Sequence, residues 1–454
     1  MSIAFDSFST NQPQVPTCTT TGSARINGQG SAVHPHGELP VSARDVEEAA
    51  KVLSGVAKCT SLDYSERLSK EVGVDVYLKR EDMQVCRSFK VRGAYRRIFD
   101  LAHGEEDSNR QVVCASAGNH AQGVAWSCAQ MGIKGTIFLP SNTPRQKRQR
   151  IATIGGPWVN QVVVDGSFDI ANQAAQEFAE SSGAVMVHPF DDPLTIAGQG
   201  TIGVELDQQM PANTKTVLIP IGGGGLAAGI ATWLRQARPH LQIIGVEPQG
   251  AASMRAALKA DTPVRLDEVD SFVDGTAVGR AGDTTFAVIR ELVDEVVTVP
   301  TGAVCTEMLD LYHSEGIIAE PAGALAAAAI RRYLPQIPQG PVVGIVSGGN
   351  NDLSRYAEVQ ERSLRHEGLR HYFLVTFPQE PGALRRFLAD VLADDQDIVH
   401  FEYTKKNNRE TGPALVGIDI NDAADITALR RRMAASPLHV EQLNPDSQIF
   451  RLLV

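Results

Sequence analysis

The chain has 454 residues, 43% of them hydrophobic and 21% charged, with a formal net charge of −11. These values describe a soluble globular protein too long for one ordinary core, so two or three domains are expected. The negative balance argues against nucleic acid as the main partner, and no apolar run of roughly 18 or more residues argues for a membrane span. The six cysteines (Cys18, Cys59, Cys86, Cys114, Cys128 and Cys305) form no C-x-x-C pair and no zinc spacing. They read as reduced thiols of a cytoplasmic protein.

Residues 1–42 are rich in Ser, Thr, Gly, Pro and Gln and lack apolar periodicity, which predicts a flexible tail and no secretory signal. From 43 to 356, short apolar runs alternate with helical ones. Strands are predicted over 110–115, 135–139, 162–164, 216–221, 242–246 and 341–346, and helices over 119–131, 225–236 and 323–333. Strands apolar on both faces and separated by helices imply a parallel sheet of the α/β class. The basic run of Arg145, Lys147, Arg148 and Arg150 reads as a solvated helix face.

Residues 357–370 turn charged and helical and are expected to connect two domains. A different rhythm fills 371–454. Phe373 to Phe377 alternates as a strand does, Pro378 to Gly382 makes a turn, and Leu384, Phe387, Leu388, Val391 and Leu392 recur at helical spacing. Strands follow over 398–404 and 415–420, a helix over 426–433 and a last strand over 448–454. The order β-α-β-β-α-β is ferredoxin-like α+β, present once.

Four loops carry chemistry. Lys90 follows Phe89 and opens a predicted helix (Lys90-Val91-Arg92-Gly93-Ala94). Alone it would be a surface lysine, but a positive helix end beside the amine would favour its neutral form. Gly222, Gly223, Gly224 and Gly225, followed by Leu226, lie between an apolar strand and a helix, where backbone N–H groups bind phosphate. Leu226-Ala227 replaces the Gly-Lys-Ser/Thr of a P-loop. A dinucleotide fingerprint remains open on spacing, because Glu247 ends the next strand. Ser116-Ala117-Gly118-Asn119-His120 offers donors to a carboxylate at another strand-to-helix turn, or else is an ordinary capped helix. Ser347 ends the strand before Gly348-Gly349-Asn350-Asn351.

Together these loops resemble the fold-type II pyridoxal-phosphate enzymes, and within them the biosynthetic threonine dehydratases with a single ACT-like domain. The match runs from about 43 to 454 and takes in His188-Pro189-Phe190-Asp191-Asp192, Val273 to Val278, and Ala319-Glu320-Pro321-Ala322-Gly323-Ala324. The resemblance implies two open α/β subdomains followed by the ACT-like regulatory domain. Pyridoxal 5'-phosphate would be held by Lys90 as an imine, with Phe89 beside it and the glycines and Leu226 on its phosphate. Asn119 would meet the ring hydroxyl and Ser347 the pyridine nitrogen, and Ser116, Ala117, Gly118, Asn119 and His120 would hold the substrate. A serine at the ring nitrogen leaves it neutral and disfavours a long-lived carbanion, which suits prompt loss of a β-hydroxyl. His120 and His188 are given no proton-transfer role.

The implied activity is deamination of L-threonine to 2-oxobutanoate and ammonia, with L-serine a poorer substrate. The same resemblance implies isoleucine as inhibitor and valine as its antagonist, bound near Phe377 to Leu384, in a homotetramer or homodimer. Glu247 stands where some relatives bind a divalent metal, but Ser253 replaces a needed carboxylate, so no such metal is expected, and a monovalent cation is left open. The competing readings are a broader L-serine/threonine dehydratase, a racemase, a threonine synthase, and a colourless ligand-sensing protein. Ala117, where racemases carry serine, speaks against racemisation.

Overall fold

The computed structural model describes residues 38–104, 111–333, 340–403, 405, 409–444, 447 and 450. Most of the expected tail, and the strand expected over 448–454 apart from Phe450, lie outside them. The chain divides into two compact units, Met1–Thr301 with Asp310–Asn351, and Gly302–Leu309 with Asp352–Val454. No helix among the described residues is long and apolar enough to cross a membrane.

The first unit holds two sheets. Its strands are β1 (Leu62–Tyr64), β2 (Val76–Arg80), β3 (Val112–Ala115), β4 (Gly135–Pro140), β5 (Val159–Val164), β6 (Val185–Met186), β7 (Thr216–Pro220), β8 (Gln242–Pro248), β9 (Glu295–Val299) and β10 (Val342–Val346). The larger sheet runs β1-β2-β10-β7-β8-β9 and the smaller β5-β4-β3-β6. Only β1–β2 is antiparallel. Strands β3, β4, β7 and β10 are buried along their whole length. That is why their apolar runs read clearly and why helices cover both faces. β5 starts three residues before the run 162–164 because Val159 pairs with Gly135. It is a half-exposed edge strand, so its polar positions hide its length.

The loops singled out in the sequence follow β3, β7 and β10, at the carboxyl ends of parallel strands, where open α/β sheets form their clefts. Helix Lys90–His103 packs against helix Asn119–Met131, and helix Pro193–Gln209 lies against it. The approach is close: a Cβ at Gly93 would stand 2.5 Å from the Gln199 amide and 2.6 Å from the Thr195 carbonyl.

The second unit contains β11 (Arg370–Pro378), β12 (Asp397–Tyr403), β13 (Thr411–Asp419) and β14 (His439–Gln442) in the order β12-β13-β11-β14, all antiparallel. Helices Ala383–Val391 and Ile426–Ala435 place Phe387, Val391, Leu429 and Met433 on Phe373, Val375, Phe377, Val416 and Ile418. This is the β-α-β-β-α-β order read from the sequence. Among the described residues the sixth element is β14, a stretch to which the sequence assigns no element. It is a four-residue edge strand whose alternation is too short to see in sequence. Leu384 and Leu388 are both 41% exposed, so the apolar stripe predicted for the first helix is narrower than its sequence suggests.

Candidate active site

Lys90 is the first residue of its helix, after Phe89 in helical conformation and with no side-chain cap. The preceding loop is stitched to the loop after β10. Ser88 bridges Gly348, and the Phe89 N–H donates to the Ser347 carbonyl at 3.2 Å. The Lys90 amine is half-buried, donates to the Pro189 carbonyl at 2.7 Å and lies 5.1 Å from the centre of the Phe89 ring. Burial lowers its pKa to about 8, and the attraction of Glu320 opposes the shift without cancelling it.

Segment His188–Asp192 joins that amine to the glycine loop. Pro189 accepts from Lys90, and the next residue, Phe190, lies on the glycines. A Cβ at Gly223 would stand 2.3 Å from the Phe190 ring, and one at Gly225 would stand 3.0 Å from Phe190 Cα. Gly222 is equally confined by Thr276, at 2.9 Å, and Gly224 has φ +97°, so no side chain fits this turn. His188 Nδ1 accepts from the N–H groups of Asp191 (2.7 Å) and Phe190 (3.3 Å), which fixes a neutral tautomer. The Asp191 carboxylate takes the first three N–H groups of helix Asp283–Leu292, and Thr285 of that helix donates to the Gly223 carbonyl at 2.6 Å. In sequence, His188–Asp192 carried no role beyond pattern.

Two helix N-termini face this region uncapped. Gly224 precedes helix Gly225–Ala237, and Gly118 precedes helix Asn119–Met131, neither with a side-chain cap. First-turn N–H groups have no acceptor within their own helix, so each end suits an anion. The ordinary capped helix considered for the Ser116 loop does not form: Ser116 Oγ instead accepts from Gly118 N–H at 3.2 Å. Ala117 is partly buried against the core of the smaller sheet, and Leu226 is buried in the core of the larger one. His120 donates from Nε2 to the Val187 carbonyl at 2.8 Å and leaves a buried Nδ1 without a partner. Burial first, then Lys90, lower its pKa to about 3, so it stays neutral.

Asn119 turns toward the β10 side. Its Nδ2 donates to Glu320 Oε1 at 2.6 Å, and its Oδ1 accepts from Asn350 Nδ2 at 2.7 Å. Ser347, 3% exposed, donates its hydroxyl to the Ala322 carbonyl at 3.1 Å. A ring nitrogen there would compete with Ala322 for that proton. Glu320 and Asn350 are the residues sequence reasoning missed. The run Glu320-Pro321-Ala322-Gly323 was a signal, but its contact with Asn119 spans 201 positions.

Other groups are spoken for. Glu247 is buried and accepts from the N–H groups of Met254 (2.7 Å) and Arg255 (2.9 Å), although burial raises its pKa to about 7. Spent on a helix start, it cannot serve a ribose, which removes the dinucleotide alternative. Lys147 and Arg150 reach Asp274 and Gln122, so the basic run is not a purely solvated face. Cys86, Cys114, Cys128 and Cys305 are free, and burial pushes Cys86 up to about 12, leaving it inert.

These donors fit a phosphorylated aldehyde: a partly neutral amine, a turn with no room for side chains at one uncapped helix start, and a second uncapped start for a carboxylate. Residues 53–348 match the family described as pyridoxal-phosphate dependent enzyme, and residues 361–453 match the C-terminal regulatory domain of threonine dehydratase. The chain is similar to the biosynthetic L-threonine dehydratase IlvA of Mycobacterium tuberculosis, at 53% identity over 91% of this chain and 96% of that one. It is 46% identical to the Bacillus subtilis protein of the same name, over 91% and 98%. Among solved structures, the processed form of threonine deaminase isoform 2 from Solanum lycopersicum aligns with a TM-score of 0.67 at 36% identity, covering 77% of this chain and 99% of that one. Maize serine racemase aligns with a TM-score of 0.65 at 30% identity, covering 72% and 99%.

Proposed function

The chain belongs to the pyridoxal-phosphate-dependent enzymes and carries the regulatory domain of threonine dehydratases, and from that premise we infer how its residues divide the deamination of L-threonine to 2-oxobutanoate and ammonia. The activity is that of a threonine ammonia-lyase, dependent on pyridoxal 5'-phosphate. When bound, the cofactor supplies the electron sink for the pair left at the α-carbon.

Lys90 would be the attachment point of the cofactor and, when its amine is free, the base for the α-proton. With a pKa of about 8, about a tenth of the free amine is neutral at pH 7. The Pro189 carbonyl holds it in place. Backbone N–H groups at Gly222, Gly223, Gly224, Gly225 and Leu226 hold the phosphate without a side chain. The N–H groups of Ser116, Ala117, Gly118, Asn119 and His120 hold the substrate carboxylate. Asn119 orients the ring hydroxyl and Ser347 the ring nitrogen, with Phe89 packed beside the amine. Ala117 brings no hydroxyl to the opposite face, so the α-proton is not returned there and elimination prevails over racemisation. L-Serine, one methyl smaller, is expected to react more weakly.

In the second unit, isoleucine and valine are the proposed effectors. Their place is the turn between β11 and helix Ala383–Val391, where Gly382 has φ +86° and Gln379 N–H donates to the Glu410 carbonyl. Feedback requires two states that bind the effector differently, for which a homotetramer or homodimer provides the bistable element. A cytoplasmic location accords with the biosynthetic role of the relatives.

The observation that carries the reading is the Lys90 amine, half-buried, depressed in pKa and coupled through Pro189–Phe190 to the glycine turn. The test is the Lys90→Ala protein, purified and compared with the parent. The parent should absorb in the visible and form 2-oxobutanoate, less so with isoleucine. A variant that keeps both the absorbance and the product would refute the assignment.

A further inference from the structure

We propose that Glu320 is a positioning residue of this site. Its carboxylate fixes the Asn119 amide, and its protonation state sets how firmly Asn119 presents its remaining N–H to the cofactor's ring oxygen. The inference rests on the reading that Lys90 carries that cofactor.

The orientation follows from one backbone group. The Cys86 carbonyl can only accept, and Asn350 Nδ2 donates to it at 2.7 Å. The same nitrogen donates to Asn119 Oδ1 at 2.7 Å, so the Asn119 Nδ2 end must face Glu320, where it donates to Oε1 at 2.6 Å. One Nδ2 hydrogen is used there. The other is left for a ligand, at an angle the planar amide dictates.

Glu320 is 5% exposed and makes no ion pair among the described residues. It is not a helix cap either. The N–H groups of Gly323 and Ala324, at the start of helix Pro321–Tyr333, go to its own backbone carbonyl at 2.8 and 3.1 Å. Space is reserved for the carboxyl by glycine: a Cβ at Gly348 would stand 2.2 Å from Oε1. That Cβ would also be 3.2 Å from the side chain of Ser88, whose buried hydroxyl has no partner.

The charged groups facing Glu320 are few. Lys90 and Lys147 attract it, Asp274 repels it, and the N–H groups of Asn119 and Asn350 bond it. Lys147 is already paired with Asp274 at 2.9 Å. Burial, then Asp274, raise the Glu320 pKa to about 7, so it changes charge within the working range. Above that pH the bond from Asn119 is charge-assisted; below it the bond is neutral and weaker.

The experiment follows the visible absorbance of the bound cofactor between pH 5.5 and 9 in the parent, Glu320→Gln and Glu320→Ala holoenzymes, without substrate. Infrared spectra over the same range detect a buried carboxylic acid directly. The expected parent shows an absorbance transition near neutrality and a carboxylic-acid band that fades across it. Glu320→Gln, whose amide oxygen still accepts from Asn119, should keep the visible band and lose both transitions, and the limb of the kcat profile near pH 7 should vanish. Glu320→Ala should loosen cofactor retention by roughly tenfold, the loss of one charge-assisted bond. In an Asn119→Ala background, Glu320→Gln should change the absorbance no further. The proposal is overturned if Glu320→Gln titrates as the parent does, or if its effect persists without Asn119. A parent with no visible band would overturn the Lys90 reading itself, and Glu320 with it.

Discussion

Two groups of buried charge flank the start of helix Lys90–His103, and they are built in opposite ways. Beneath it, Arg92 donates to Glu81 at 2.7 Å and to Glu205 at 2.6 Å, and Lys79 is paired with Glu205, so two cations meet two carboxylates. Thr60, Thr201 and Gln209 complete the hydrogen bonding. Above it, Lys90, His120 and Glu320 are buried or half-buried with no opposite charge in contact. The protonation states follow. Despite burial, Glu205 and then Glu81 raise the Arg92 pKa and Arg92 lowers that of Glu81, so both stay charged. Burial instead moves Lys90 down to about 8 and Glu320 up to about 7. Lys79 is intermediate: burial lowers its pKa although Glu205 and Glu81 resist. Matched charges anchor the helix, whereas His120 stays neutral and the unmatched Lys90 and Glu320 can exchange protons near pH 7.

Substitution should separate the two layers most sharply at Lys90 and Arg92. Lys90→Ala is expected to remove essentially all 2-oxobutanoate formation, by at least about a thousandfold. The apo protein should lose no stability, because a desolvated amine has been removed. Arg92→Met should do the reverse. It strands Glu81 and part of Glu205 in the interior and should cost about 3–5 kcal/mol, seen as a lower denaturation midpoint. If Arg92→Met melts like the parent, the lower layer is not the anchor described.

The fold and the site were legible in sequence to different depths. Strands β4, β7, β8 and β10 announced themselves because burial on both faces demands unbroken apolar runs. β2 did not, since Val76–Arg80 ends in Lys79 and Arg80 and reads as polar; Lys79 is tolerable inside because it meets Glu205, 126 positions away, and Gln209 and the Thr60 carbonyl. Helix Pro193–Gln209 was missed because it is buried on nearly all sides and so lacks an amphipathic period. At the site, Lys90 and the loops after β3, β7 and β10 stood out because strand-turn-helix chemistry is local. Pro189, Glu320 and Asn350 did not, because their roles exist only once distant segments meet.

The pH response sharpens the difference further. An amine must be neutral to attack an aldehyde. The neutral fraction of Lys90 therefore falls about tenfold per pH unit below 8 and levels off above it. Capture of pyridoxal 5'-phosphate by the apo protein, followed by stopped-flow absorbance, should rise roughly tenfold from pH 6 to 7 and flatten past 8. A lysine with the ordinary value of 10.5 would still be accelerating at pH 9. That result would place the amine in solvent and remove the distinction between the layers.

The smallest change probes the boundary between them. Gly123 lies inside helix Asn119–Met131, where alanine ordinarily adds about 1 kcal/mol of helix stability. A Cβ there would stand 3.2 Å from the Lys90 carbonyl carbon and oxygen and from the Val91 nitrogen, so the Lys90 backbone must yield by a few tenths of an ångström. It cannot yield toward helix Pro193–Gln209, because Gly93 and Gly198 already meet there: a Cβ at Gly198 would be 2.7 Å from the Arg92 carbonyl. The strain should therefore fall on the turn at Phe89 and Lys90 and on the 2.7 Å bond to Pro189. Gly123→Ala is expected to leave the denaturation midpoint within about 1 kcal/mol of the parent, propensity offsetting contact. Activity should fall by about tenfold, since small misplacements of a reacting group are costly. A loss of stability in step with activity would show that the amine's position and the anchoring below it are one mechanical element.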